Sequence, residues 1–479
     1  MSNPPDIVTG ETEAFPQMGE PEAPPAPPES GERSKRRVVH DLWLSGTEAP
    51  VDTGQFTDEG AQEMLTDESP QVLAGQRGTL VVDDYDEGYV SDEETQIVNM
   101  GPQHPATHGV LRLQLELEGE TIRRVKPIIG YLHTGMERTG EALTFMQGPT
   151  NVTRMDYLSP FHNELAFSLS VERLLELDIP PRAQAIRILM TELNRVSSHL
   201  LWAATTGFDL GALSMMIYGW REREAVLGFF EKTTGLRMNH NYIRPGGVAA
   251  DLPDGWEEDL VALEKTVLAG LAEYEGLLME NPIFIERTQG VGVLTPEECL
   301  AYGVTGVLAR ASGIDFDLRK AFPYSGIEQY EFDVPVAEHG DVYDRFLLRF
   351  EEIRQSLHIV RQVAESMPLG DYRSEDRKVT PPPRARIDQS MEALIHHFKI
   401  FTEGFKVPAG EVYQAVESPR GELGMYIVSN GGAKPWRLHV RGPSLAHVQA
   451  LPAMLTDSLI ADTIAALASA DPVMGDVDR

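Results

Sequence analysis

Between Pro181 and Ala204, six apolar residues recur at helical spacing: Ile186, Leu189, Met190, Leu193, Val196 and Leu200. A second such run, over 341–366, carries Phe346, Phe350, Ile353, Leu357 and Val360. Helices this long, each with an apolar stripe along one side, must bury those stripes against one another, so the chain is committed to a helical body. Further helices are predicted from Ser159 to Leu177, which opens on Ser and Pro and carries Phe161, Leu165, Leu169 and Leu175. Others are predicted over 214–234, stopped by Gly235, and over 257–279.

Two regions change period. Leu111, Leu113, Leu115 and Leu117 alternate with Arg112, Gln114, Glu116 and Glu118, which predicts a half-buried strand paired across Glu118 and Gly119. Near the carboxyl end, "EVYQAVESPRGELGMYIVSNGGAKPWRLHVRG" returns to alternation, with turns at Arg420–Gly421 and Asn430–Gly432. The expected class is α+β: a mainly helical body with small antiparallel β-sheets near both ends of the region from residue 97 onward.

Residues 1–96 differ in kind. They hold 22 Asp or Glu against 5 Lys or Arg, and eight prolines fall within the first 28 residues. With few apolar anchors, such a segment cannot offset the entropy of ordering, and the sequence predicts an acidic, Pro-rich, largely disordered extension, with brief ordered contacts near "HDLWL" and "GTLVVDD". Residues 97–479 form the folded domain. The formal charge of −33 argues against nucleic acid, since phosphate neutralisation needs clustered Lys and Arg. The run "RSKRR" at 33–37 is the exception and reads as a solvated tail feature. No stretch of ~18 uncharged apolar residues is present, so no membrane span is expected, and the amino terminus lacks the apolar core of a signal peptide.

The single cysteine, Cys299, cannot form an internal disulfide or build a multi-thiolate metal site, and a reducing compartment is the natural reading. It follows "TPEE", in which Thr295 can cap a helix, Pro296 suits the first turn and Glu298 closes a capping box, so a buried thiol is expected.

Candidate chemistry is scattered. "GPQHPATHGVL" sets His104 and His108 four positions apart, but Pro105 removes a backbone donor and Gly109 favours a turn, which leaves loop histidines rather than a helical metal pair. Tyr157 in "TRMDYLSP" precedes a helix start and can simply pack with its hydroxyl tethered. Asp209 in "TTGFDLGA" falls just past the long helix, as a cap or as the partner of a base. His133 in "GYLHTGMER" and the glycines of "YIRPGG" complete the set, with Arg244 expected at the surface of a tight turn. No dinucleotide fingerprint, nucleophile elbow or zinc helix is present, so the chain is not expected to bind NADH itself.

In order along the chain stand "GPQHPATHGVLRL", "HTGMER", "MDYLSP", "NELAFSLSVERLL", "TELNRVSSHL", "DLGA", "YIRPGGV", "RTQGVGVL", "SGIDFDLRKAFPY", "HHFK", "ESPRGELGMYIVS" and the terminal "GDVDR". Over 97–479 the chain closely resembles the 49-kilodalton, or D, subunits of respiratory NADH:quinone oxidoreductase (complex I), a family similar to the nickel-iron hydrogenase large subunit. The resemblance implies a peripheral-arm subunit on the cytoplasmic face of the cell membrane, touching the membrane only through the complex. Its implied partners are the B subunit, which carries the terminal 4Fe-4S cluster, the C and I subunits and the membrane-arm H subunit. With B it would frame the site where quinone (menaquinone or ubiquinone) is reduced and protonated.

The same resemblance implies that His108 and Tyr157 hydrogen-bond the two quinone carbonyls, that Asp209 partners His108, and that His133 lies beside the pocket. This chain would hold no metal or iron-sulfur cluster, because the hydrogenase centre needs four thiolates and only Cys299 exists. A related complex fed by ferredoxin or reduced deazaflavin, or a scaffold without chemistry, are the alternatives. Two departures stand out: Thr134 replaces the Arg of His-Arg-Gly, and Asn239 replaces a histidine, with His240 displaced by one. Both remove positive charge, so a partner cluster of lower potential is expected, as suits a low-potential quinone.

Overall fold

A computed structural model describes residues 95–102 and 109–479. The predicted extension, apart from Thr95 and Gln96, and both loop histidines, His104 and His108, lie outside the described residues.

The amino-terminal sheet has three strands rather than the predicted pair: β1 (Gln96–Met100), β2 (Arg112–Glu118) and β3 (Thr121–Ile128), in that order and antiparallel. The added edge strand gave little signal because its apolar Ile97 is 56% exposed. Leu113, Leu115 and Leu117 point inward from β2, as the alternation requires. They pack on the carboxyl-terminal helices α7 (Pro443–Leu455), α8 (Asp462–Ala470) and α9 (Met474–Asp478) in a core that also holds Cys299.

The larger core surrounds α2 (Pro181–Asp209), packed by α1 (Pro160–Leu175), α3 (Leu213–Thr234) and α6 (Val342–Glu365), with α4 (Trp256–Tyr274) laid against α3 and α6. The predicted stripes are the buried faces: Leu189, Leu193, Val196 and Leu200 of α2 meet Phe346, Phe350, Ile353 and Leu357 of α6 in one cluster. Each fully buried side chain of this size contributes roughly 1.5–3 kcal/mol relative to exposure. The helix boundaries follow the expected chemistry: Gly235 ends α3 in the left-handed region (φ 83°), Asp341 caps α6 through the Asp344 amide, and Thr295 and Glu298 form the capping box of α5 (Pro296–Tyr302). The helix predicted over 257–279 is α4 followed by one π-helical turn, Glu275–Met279.

A hairpin, β4 (Ile243–Arg244) with β5 (Gly247–Val248), turns at "RPGG", and the second sheet runs β6 (Gly410–Ser418), β7 (Gly421–Ser429), β8 (Arg437–Arg441). The class is α+β, as the sequence predicts. Helices α7 to α9 were not expected. α7 is buried nearly all round and carries Pro452 internally, so it shows no amphipathic period.

Candidate functional site

The short terminal helix α9 gathers three of the segments singled out in the sequence. A methyl group placed on Gly109, at the end of the histidine loop, would lie 3.5 Å from Met474 Cγ, so this backbone rests on the first residue of α9. One placed on Gly475 would lie 3.3 Å from both Cδ1 and Cε1 of Tyr157 and 2.3 Å from the Met155 carbonyl. The phenol ring therefore lies flush against α9 where no side chain intervenes. His133 Nδ1 meets the Asp478 carbonyl at 2.6 Å, and the Asp478 carboxylate accepts the amides of Gly130 (2.8 Å) and Leu132 (2.7 Å).

Tyr157 is half-buried on a turn built by its neighbour. Asp156 Oδ1 accepts the amides of Leu158 (3.1 Å) and Ser159 (3.2 Å), and Asp156 Oδ2 pairs with Arg420 Nη1 at 3.0 Å. Burial, aided by the Asp156 charge, raises the phenol above its ordinary value, while the Arg420 guanidinium pulls the other way. Among the described residues no group is hydrogen-bonded to the Tyr157 hydroxyl.

Asp209 is not beyond the helix but its last residue, because Thr205 to Phe208 continue the helical path. Burial raises its carboxyl to about 6, without placing it beside the Asp156–Arg420 pair: Ser198, which contacts Arg420, lies roughly 16 Å back along α2 at 1.5 Å per residue. Around that end, Leu213 and Ile217 are exposed apolar residues at 65% and 71%.

The "YIRPGG" turn is held from below. Glu164 accepts the amides of Asn241 (2.5 Å), Tyr242 (2.8 Å) and Ile243 (2.9 Å) and the Thr153 hydroxyl (2.7 Å). Burial raises this carboxyl to about 7 against those donors. Arg244 is not a surface side chain but half-buried, its Nε donating to the Asn241 carbonyl at 2.8 Å. His240 stacks on Phe161 with centroids 4.1 Å apart, and burial lowers it to about 4, so it is a neutral core ring.

Along α2, a buried charge network links Glu192, Arg195, Arg319, Asp317, Arg310, Glu417, Glu352 and His199. Burial alone would raise Glu192, but Arg195 and Arg319 outweigh it and hold it at about 2. Sequence reading missed these groups and Arg420: arginines and glutamates between apolar residues read as a solvated face, and an arginine between Pro and Gly reads as an exposed turn. The ordered motifs "TELNRVSSHL", "SGIDFDLRKAFPY" and "ESPRGELG", which contain most of these residues, carried the only signal.

Cys299 is buried, contacts Ser312 Oγ at 3.4 Å, and is raised by burial above a thiol's usual range. The chain thus offers phenol, imidazole and carboxyl groups for binding and proton exchange, and no thiolate set for a metal cluster. Residues 209–479 match the family described as respiratory-chain NADH dehydrogenase, 49 Kd subunit. Similar curated proteins include a D-type subunit of the NADH-quinone oxidoreductase of Salinispora arenicola, 53% identical over 406 residues (81% of this chain, 92% of the relative). The corresponding D-type subunit of Koribacter versatilis is 52% identical over 387 residues (81% and 96%), and that of Nocardia farcinica 53% over 405 (81% and 89%). The chain belongs to the 49-kilodalton, or D, subunit family of the respiratory NADH:quinone oxidoreductase. It is accordingly a component of an oxidoreductase complex, and among the described residues no helix is long and apolar enough to cross a membrane.

Proposed function

We propose that this chain forms, with the cluster-bearing B subunit, the chamber in which a quinone headgroup is reduced and protonated. The observation that carries the reading is Tyr157: a half-buried phenol, fixed by Asp156 and α9, whose hydroxyl no described residue occupies. Reduction of a quinone to a quinol takes two electrons and two protons. The partner's cluster supplies the electrons. Tyr157 donates a hydrogen bond to one carbonyl oxygen and surrenders its proton as negative charge develops there. His108 serves the other oxygen, and Asp209 favours its protonated form. The tyrosinate and the neutral imidazole then regain protons from solvent. His133, tied to Asp478, borders the pocket and shapes it.

The C and I subunits and the membrane-arm H subunit are the remaining neighbours, on the cytoplasmic face of the membrane. Exposed Leu213 and Ile217 near Asp209 suit burial against such partners. NADH is favoured over ferredoxin or deazaflavin as the donor because the relatives are named for it. Thr134 and Asn239 remain compatible with a low-potential cluster and menaquinone, and His240, neutral in the core, does not restore the missing charge.

The test is Tyr157→Phe in the assembled complex. Quinone reductase activity should fall severely while NADH-driven reduction of an artificial acceptor upstream persists. Equal loss of both, or retention of both, would refute the role.

A further inference from the structure

We propose that Arg420 is a positioning residue for quinone reduction: it locks the Asp156–Tyr157 turn to the carboxyl-terminal segment, so that the phenol meets the headgroup at one fixed place. This rests on the reading of Tyr157 as proton donor.

Arg420 occupies the two-residue loop Pro419–Arg420 between β6 and β7, where an arginine would ordinarily reach solvent, yet its side chain is wholly buried. Its Nη1 donates to Asp156 Oδ2 (3.0 Å), Ser159 Oγ (3.1 Å) and Ser198 Oγ (3.1 Å). Its Nε donates to the Asp471 carbonyl at 3.0 Å, and Nη2 lies 3.1 Å from Asp471 Oδ2 as a charge contact without hydrogen-bond alignment. One guanidinium therefore joins the turn that carries Tyr157, helix α2 and the segment that leads into α9.

The anchor beneath it is closely packed. A methyl group on Gly421 would fall 2.5 Å from Thr305 Oγ1, and one on Gly306 would fall 2.4 Å from the Arg420 carbonyl, so the hairpin tip is pressed onto Thr305–Gly306. Because Asp156 Oδ1 is spent on the Leu158 and Ser159 amides, its other oxygen is the handle by which Arg420 sets the turn. The charges facing Tyr157 are Asp156, Asp471 and Arg420. Removing the guanidinium leaves two carboxylates beside a phenol that must become an anion, which opposes proton release. Displacement of a reacting group by an ångström also costs about 100-fold in rate.

The experiment uses membranes containing the complex with Arg420→Gln or Arg420→Lys, a short-chain quinone as acceptor, and NADH:ferricyanide reduction as the measure of assembled enzyme. R420Q should lower kcat for quinone by about 100-fold with KM little changed and ferricyanide reduction intact. R420K should recover part of the loss, and R420Q combined with Tyr157→Phe should be no slower than Tyr157→Phe alone. If R420Q does not assemble, Asp156→Asn replaces it under the same criteria. Losses that multiply in the double variant, a proportional fall in both activities, or wild-type quinone turnover would overturn the inference. Wild-type turnover in Tyr157→Phe would instead sink the underlying reading, which keeps the two failures apart.

Discussion

Gly475 lies against the ring of Tyr157 with no room for a side chain between them: a β-carbon there would come within 3.3 Å of two ring atoms and 2.3 Å of the Met155 carbonyl. The latter is backbone, not the tip of a flexible side chain, so Gly475→Ala must push α9 away from the turn or the turn away from α9. Overpacking of this kind costs about 1–3 kcal/mol. Quinone turnover should drop by at least 10-fold, on the order expected for a shifted reacting group, with ferricyanide reduction preserved. Comparable activities in the two enzymes would show that the contact does not set the phenol.

Asp209 gives a pH prediction. Burial raises its carboxyl to about 6, above the usual aspartate value, so it binds a proton as pH falls through about 6 and is ionised above that. If its negative charge supports the protonated form of His108, that support exists only above about pH 6, so Asp209→Asn should lose quinone turnover at pH 7 and above and approach the unaltered enzyme below about pH 6, where acid protonates the imidazole unaided. A loss that does not shrink as pH falls would assign the effect elsewhere. The sign for stability is opposite to that of a salt-bridged aspartate: the native state holds the proton more tightly than the unfolded chain, so this group's contribution falls as pH rises from about 4 through about 6.

Most of the frame was legible because period reports burial. The stripes of α2 and α6, the alternation of β2, and the caps at Thr295 and Gly235 each depend on a local rule that the surroundings did not override. Other features were not legible. α7 is buried on nearly all sides and therefore has no period to read. The buried network through Glu192, Arg310 and Glu352 looks in sequence like ordinary charged helix faces, since only the fold brings each charge to its counter-charge. Arg420 has the local signature of an exposed turn, and its burial follows from the packing of the hairpin tip on Thr305–Gly306, a contact more than a hundred residues distant in the chain. Of the candidate site, the sequence offered Tyr157 but not the Asp156–Arg420–Asp471 arrangement that the structure places behind it.

The Glu172–Arg187 pair supports the "YIRPGG" turn and should be the more sensitive to removal of one partner. Arg187 reaches both carboxylate oxygens, at 2.9 and 2.5 Å, and also donates to the carbonyls of Arg244 (2.9 Å) and Gly247 (3.0 Å), while Glu172 accepts the Gly246 amide at 2.8 Å. Both side chains are buried, so Glu172→Gln leaves a cation without its counter-charge, at a cost of about 3–5 kcal/mol. Less assembled enzyme and thermal inactivation at lower temperature are expected. Replacing both residues by apolar side chains of similar volume should cost less than the single change, because no unpaired charge remains. A double replacement as harmful as the single one would mean that the backbone contacts, rather than the charge, hold the turn.

His133 and Asp478 should separate in mutagenesis although they touch. The Asp478 carboxylate grips the amides of Gly130 and Leu132, whereas His133 contributes one ring nitrogen to the Asp478 carbonyl from an exposed position. A carboxylate that satisfies two amides is a charge-assisted clamp, with each bond worth roughly 1.5–3 kcal/mol, and a single bond in contact with water is worth less. Asp478→Ala should therefore release the segment from Ile129 to Leu132, whose Ile129, Tyr131 and Leu132 present 41%, 49% and 39% of their surface and are suited to a neighbouring subunit. The expected phenotype is a loss of assembled complex, measured as the fraction of this chain that migrates with the membrane-bound enzyme on native gels. His133→Ala should assemble normally and keep at least half of its quinone turnover. If His133→Ala abolishes turnover in a fully assembled complex, the imidazole acts on the quinone directly, and its place is beside Tyr157 rather than at the border of the pocket.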